Sequence, residues 1–143
     1  MSQADSDDAA RAAAYHNAGH AVARALIDTG AKDEVCSNPA HEQRRRAEFE
    51  AMTALGSVAA EHIFLGAAEP RGAENDIAFA LKQIAAITPN AAEQRAYVDF
   101  LSVRVRCLLE SHRDFVEYVA LSLLQSGGDA AEITRSNLSR FVR

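Results

Sequence analysis

The residues best equipped for chemistry are His16 and His20, four apart in the segment AYHNAGHAVARALI. On a helix that spacing puts both imidazoles on one face, about 40° apart around the axis and one turn apart along it. Two neutral imidazoles so placed can share one metal ion, and zinc suits them. Asn17 follows the first histidine directly. Its amide accepts no proton near neutral pH, so the pair frames a metal without a proton-moving group beside it. Gly19, just before His20, allows another segment to approach closely.

The spacing alone carries little weight. With five histidines in 143 residues, about 0.17 such pairs arise by chance. A zinc site also needs a third ligand. The best candidate is Asp76 in RGAENDIAFA, after a glycine-containing turn. Taken alone, that residue reads more plainly as a helix-start carboxylate stabilised by the helix dipole. Glu61 lies inside the apolar run ALGSVAAEHIFLG. A carboxylate there needs a partner, because unpaired burial is costly. Holding a ligand histidine in orientation would provide one. His62 reads as a helix residue with a local hydrogen bond, and His41 and His112 as surface or cap residues.

The elements that must position these groups read as helices. The 143 residues fit one domain, and 48% of them are apolar, enough for a folded core. Alanine is abundant, glycine and proline are few and tryptophan is absent, which favours helices over a β-sandwich. Residues 1–7 read as a disordered or frayed start, and residues 8–143 as a single helical domain of five to six helices. The first helix is expected from Asp7 or Asp8 to about Thr29, with Ala18, Val22 and Leu26 as its inward stripe and Gly30 as its stop. A second spans about His41 to Leu65, apolar on more than one side and therefore central. A third runs from about Asn75 to Thr88, with Ile77, Leu81, Ile84 and Ala85 inward and Pro89 as the stop. A fourth region covers Ala91 to Gln125, divisible near Ser111–Asp114. A last helix covers Ala130 to Phe141, with Asp129 and Glu132 offset as in a capping box.

Other classes fall away on composition. The net charge of -5 lacks the basic excess of a nucleic-acid binder. The run Arg44-Arg45-Arg46 reads as a solvated helix face. Cys36 and Cys107 form no C-x-x-C pair, which fits free thiols in a reducing compartment. The acidic, polar start is no targeting segment, and no stretch approaches 18 uninterrupted apolar residues. The expectation is a cytoplasmic protein, neither membrane-bound nor nucleic-acid-bound.

Several segments in order resemble the proteolytic domain of the FtsH-type ATP-dependent zinc metalloproteases. AYHNAGHAVARALI looks like that family's AYHEAGHAVV helix. ALGSVAAEHIFLG looks like its LGGRAAEE-[IL]-x-FG helix, and RGAENDIAFALKQIA like its TGASNDL-x-x-AT-x-IA segment. VRCLLESHRDFVEYVALSLLQSG with DAAEI is similar to its closing helices, so the match runs from about Ala13 to near the C-terminus. The resemblance implies a mostly helical domain that holds zinc through His16, His20 and Asp76. It also implies a Glu at position 17, the H-E-x-x-H general base, where this chain has Asn17. The chain departs from the family in two further ways. Only about a dozen residues, Gly30 to His41, stand where the family carries β-strands beside its cleft, so the substrate-holding edge is expected to be reduced or absent. No G-x-x-x-x-G-K-[ST] loop or membrane span is present. The leading expectation is a pseudo-peptidase that keeps the zinc site and acts through a polypeptide or protein partner, as an oligomer or alone. One alternative is an active zinc endopeptidase, with Glu61 as base or with Asn17 as an engineered replacement. The other is a metal-free helical interaction module.

Overall fold

The computed structural model describes residues 2–31 and 38–142, and it is all-α. Six helices follow in order: α1 (Gln3–Ala31), α2 (Pro39–Leu65), α3 (Pro70–Ala85), α4 (Ala91–Ser111), α5 (Arg113–Ser126) and α6 (Ala130–Phe141). There is no strand among the described residues. The connection after α1, where the β-element was expected to be reduced or absent, lies largely outside them. No described helix is long and apolar enough to cross a membrane.

The helix starts explain most differences from the sequence reading. Residues 3–7, expected to fray, are helical. Ser2 Oγ accepts from the Asp5 N–H at 3.2 Å, and Asp5 Oδ2 accepts from the Ser2 N–H at 3.2 Å. That reciprocal pair satisfies donors at the helix start that would otherwise lack partners. α2 begins at Pro39, capped by the Asn38 side chain, which accepts from the Ala40 N–H. α3 begins at Pro70 rather than near Asn75. The Glu69 carboxylate accepts from the N–H groups of Arg71 and Gly72, and Pro70 takes the first helical position. Proline is favoured there because its missing N–H is not needed. Gly30 lies within the last turn of α1 rather than beyond it, and α3 ends at Ala85, ahead of Thr88. The division of the fourth region is found where the sequence puts it, at His112 between α4 and α5.

α2 is the central helix, with its buried residues running from Ala47 to Glu61. Against it lies α1, whose stripe of Ala18, Val22 and Leu26 is buried as expected. The two backbones nearly touch. A Cβ added at Gly19 would sit 2.4 Å from the Gly56 carbonyl oxygen and 2.7 Å from the Ala60 Cβ. One added at Gly56 would sit 2.6 Å from the Gly19 carbonyl oxygen. On the far side of α1, α5 supplies Phe115, Val116 and Val119, all fully buried or nearly so. Phe141 of α6 stacks on Phe115 at 4.7 Å. α3 buries Ala80 and Ile84, whereas Ile77 and Ala85, expected inward, are exposed. The helix is turned so that Asp76, one residue or about 100° from Ile77, faces α1 and α2 instead.

The close crossing has a measurable consequence. Alanine is favoured over glycine in a helix by about 1 kcal/mol. Overpacking against an unyielding neighbour costs typically ~1–3 kcal/mol, and here the neighbour is backbone. Gly19→Ala and Gly56→Ala are each expected to lose about 1–2 kcal/mol net in urea unfolding. Gly30→Ala, which meets nothing within 4 Å, is expected to be neutral or to gain up to about 1 kcal/mol.

The cap of α3 gives a pH signature. The Gly72 N–H, then that of Arg71, holds the Glu69 carboxyl below its usual 4.5. A lowered folded pKa means its share of stability is full above the usual value and fades as pH falls through the lowered one. Glu69→Gln is expected to flatten the stability profile on the acid side of 4.5, read by thermal unfolding at stepped pH.

Candidate metal centre

α1 presents His16 and His20 one turn apart, with their rings edge to face at 4.8 Å between centroids. Each ring is fixed by its Nδ1. His16 Nδ1 lies 2.7 Å from Glu61 Oε1, and His20 Nδ1 lies 2.8 Å from the Thr53 carbonyl oxygen. Both partners belong to α2, and the glycine crossing brings them this near. A carbonyl can only accept, so His20 Nδ1 carries the proton and its Nε2 keeps a lone pair when the ring is neutral. Glu61 Oε1 accepts from His16 Nδ1 when that ring is in the same tautomer.

Both Nε2 atoms face one oxygen. Asp76 Oδ2 is 3.7 Å from His16 Nε2 and 3.8 Å from His20 Nε2. Asp76 is the seventh residue of α3, two turns in. The helix-start reading therefore does not apply, because the macrodipole falls off within the first turn. Ser57 of α2, fully buried, donates from its hydroxyl to the same Oδ2 at 2.5 Å. The hydroxyl also lies 3.0 Å from the Ala54 carbonyl oxygen, but its one proton favours the shorter, charge-assisted contact. The three side chains are about one-fifth to one-third exposed, so the cluster opens to solvent on one side.

The donors of His16, His20 and Asp76 all lie within 4.8 Å of one another. Three acceptor groups converging on one point repel unless a cation lies between them or the rings are protonated. Two imidazoles and a carboxylate are a donor set that zinc takes in open, three-ligand sites. Two donors at about 2.0–2.1 Å from a tetrahedral ion stand roughly 3.4 Å apart. The two gaps to Asp76 would each close by a few tenths of an ångström, and the two imidazole nitrogens lie within 4.8 Å of each other. The residues present therefore fit such an ion.

Glu61 is 3% exposed and both of its oxygens are engaged. Oε1 meets His16, and Oε2 accepts the Glu69 N–H at 2.7 Å. The same carboxylate thus orients a histidine and pins the start of α3, the helix that carries Asp76. Asn17 is exposed. It lines a groove of about 520 Å³ with His20, Arg24, Thr53, Leu123 and Asp129. A second groove, of about 380 Å³, runs past His20 and Asp76 to Glu50 and Phe79. His62 is exposed on α2. His112 caps the α4–α5 junction, with its Nδ1 2.9 Å from the Leu108 carbonyl oxygen. His41 is exposed at the start of α2. None of the three joins the cluster.

Two contributors escaped the sequence reading. Ser57 carried a signal, a lone hydroxyl in an apolar run beside Gly56. Thr53 carried none, because it acts through its backbone carbonyl.

The double duty of Glu61 is testable. In Glu61→Gln the amide can accept one of the two hydrogen bonds while its NH₂ faces the other donor. The variant is expected to lose about 1–3 kcal/mol in denaturant unfolding. Nitrogen NMR of the His16 ring is expected to show both neutral tautomers where the unaltered chain shows one.

Compared with known proteins, the chain gives no significant match to a family model, a curated protein or a solved structure.

Proposed function

We propose that this chain is a zinc-binding, peptidase-like helical domain whose hydrolytic chemistry is disabled at Asn17. One observation carries the reading. Two imidazoles, each tied to α2 through Nδ1, aim their Nε2 atoms at one carboxylate oxygen from a different helix. Metal-ligating histidines are characteristically oriented through their other ring nitrogen by a carboxylate or a carbonyl, and here one of each does so. The resemblance to FtsH-type peptidase segments supports the same three ligands. The cofactor on this reading is zinc, held by His16, His20 and Asp76, with Glu61 and Ser57 as their supports.

Bound zinc would lower the pKa of a water and polarise a carbonyl. Peptide hydrolysis also needs a group that takes a proton and delivers it to the leaving amine. The Asn17 amide does neither. General acid–base help is typically worth about 10²–10⁴-fold, or roughly 3–5 kcal/mol of barrier. Glu61 is a poor replacement base, because both of its oxygens already hold hydrogen bonds inside the core. The domain then acts by binding, either a polypeptide in the groove along Asn17 or a protein partner.

Metal analysis is the first test. One zinc per chain is expected, lost in His16→Ala and in Asp76→Ala. Ser57→Ala is expected to weaken binding about 10–100-fold while the helical signal stays intact. No uptake at micromolar free zinc would overturn the metal site and leave the metal-free interaction module. A casein digestion assay tests the second half. No cleavage is expected from the unaltered chain. Chelator-sensitive cleavage would make it an active endopeptidase. Asn17→Glu is expected to raise hydrolysis if the groove can hold a substrate, and failure to do so would point to the expected loss or reduction of the substrate-holding edge.

A further inference from the structure

The groove beside Asn17 holds a cation that the metal centre does not use. Arg24 follows His20 by four residues, so His16, His20 and Arg24 form one stripe along α1. Arg24 is exposed and lines the groove of about 520 Å³ with Asn17 and His20. Its guanidinium lies over the Phe49 ring, 5.2 Å from the centroid. That stacking covers one face of the guanidinium and leaves its N–H edge free. Two acidic groups stand near it: Asp28, one turn further along α1, and Asp129, which lines the same groove and accepts the Ala131 N–H. Neither pairs with Arg24, which forms no ion pair among the described residues.

The two grooves of the metal centre share His20 and Thr53 and differ in charge. The groove of about 380 Å³ is lined by Glu50 and Asp76 and by no described lysine or arginine. The larger one holds Arg24 with Asp129. A dication bound by two neutral imidazoles and one carboxylate would add positive charge where the grooves join. An anionic group on a polypeptide crossing both is therefore favoured on the Arg24 side.

We propose that Arg24 holds a carboxylate of the bound polypeptide, at its C-terminus or on an Asp or Glu side chain. The assignment rests on the polypeptide-binding reading given above and names the chemistry of its ligand. A guanidinium matches the two oxygens of a carboxylate with two parallel hydrogen bonds. Phosphate groups characteristically draw clusters of arginine, and here there is one, facing an aspartate. Arg24 lies six residues beyond the level midway between His16 and His20, about 9 Å along the helix axis. Extended chain covers that span in two to three residues at ~3.3 Å each. A terminal carboxylate on Arg24 thus runs the polypeptide from the Phe79 side of the cluster, N to C, towards α6.

Retention of peptide pools by the full chain with added zinc, read by ultrafiltration and mass spectrometry, tests the assignment. The probe is an acetylated five-residue pool, mixed at every position with cysteine omitted, made as the free acid and as the C-terminal amide. The free-acid pool is expected to be retained about three- to fivefold better than the amide, the scale of one exposed ion pair. If a side chain supplies the carboxylate, Asp and Glu members of the amide pool are enriched instead. Arg24→Gln is expected to abolish whichever preference is found, with helical circular dichroism unchanged, and Arg24→Lys to keep part of it. Zinc content is measured on the same samples. Bound zinc with a preference untouched by Arg24→Gln, or with no preference for a carboxylate, overturns the role of Arg24 and leaves the metal site standing. An Arg24-dependent preference without zinc uptake overturns the metal site and leaves the role of Arg24. No retention of either pool at about 1 mM peptide overturns the role of Arg24 whatever the zinc content.

Discussion

Gly19 of α1 and Gly56 of α2 press backbone against backbone, and the cluster around the histidines depends on that contact. Gly19 follows His16 by three residues and precedes His20 by one. Gly56 lies between Thr53, which holds His20, and Glu61, which holds His16. It stands next to Ser57, which holds Asp76. Were the helix axes held apart by ordinary side chains, the bonds at 2.7 and 2.8 Å from the two Nδ1 atoms could not form. The glycines cost helix propensity, about 1 kcal/mol each. That cost is offset by burying the inner stripe of α1, from Ala14 to Leu26, against its neighbours.

α3 is placed by a relay that starts from the same contact. Glu61 orients His16 with one oxygen and holds the Glu69 backbone with the other. The Glu69 side chain then caps the first turn of α3. From that start the helix needs nearly two turns to deliver Asp76 to the imidazoles. Three acceptor groups at one point oppose folding unless a positive charge, on a bound ion or on a protonated ring, joins them. A histidine pair on a helix surface for other reasons would need no such scaffold.

Much of this was legible in the sequence, and the misses have physical causes. The apolar stripe of α1 and the central place of α2 follow from periodicity alone, because packing dominates both. His16, His20 and Asp76 were singled out together by resemblance and come together in the fold. Nothing in their own spacing says how the third approaches the other two. The starts of α2 and α3, expected near His41 and Asn75, were read too late because Pro39 and Pro70 each fill the first turn after a capping side chain. The inward face of α3 was misjudged at Ile77 because apolarity was weighed above a polar contact. The helix is turned so that Asp76 accepts from Ser57, and Ile77 is left exposed. Thr53 was invisible because any residue has a carbonyl.

The position of Asn17 separates the fold from the chemistry. Its neighbours His16 and Ala18 face the scaffold and the core, while Asn17 itself is exposed on the rim of a groove. No residue that builds the cluster bonds to its side chain among the described residues. A change there alters what can happen to a bound molecule without altering what holds the ligands. The supports on α2 are the reverse case, since removing Glu61 or Ser57 strands donors and acceptors inside the domain. On the proposed reading, binding of a metal therefore does not depend on the residue at position 17, whereas hydrolysis would need the metal, a held substrate and a base at that position. The first is secured by helix packing, and the base is a solvent-facing side chain that is free to differ.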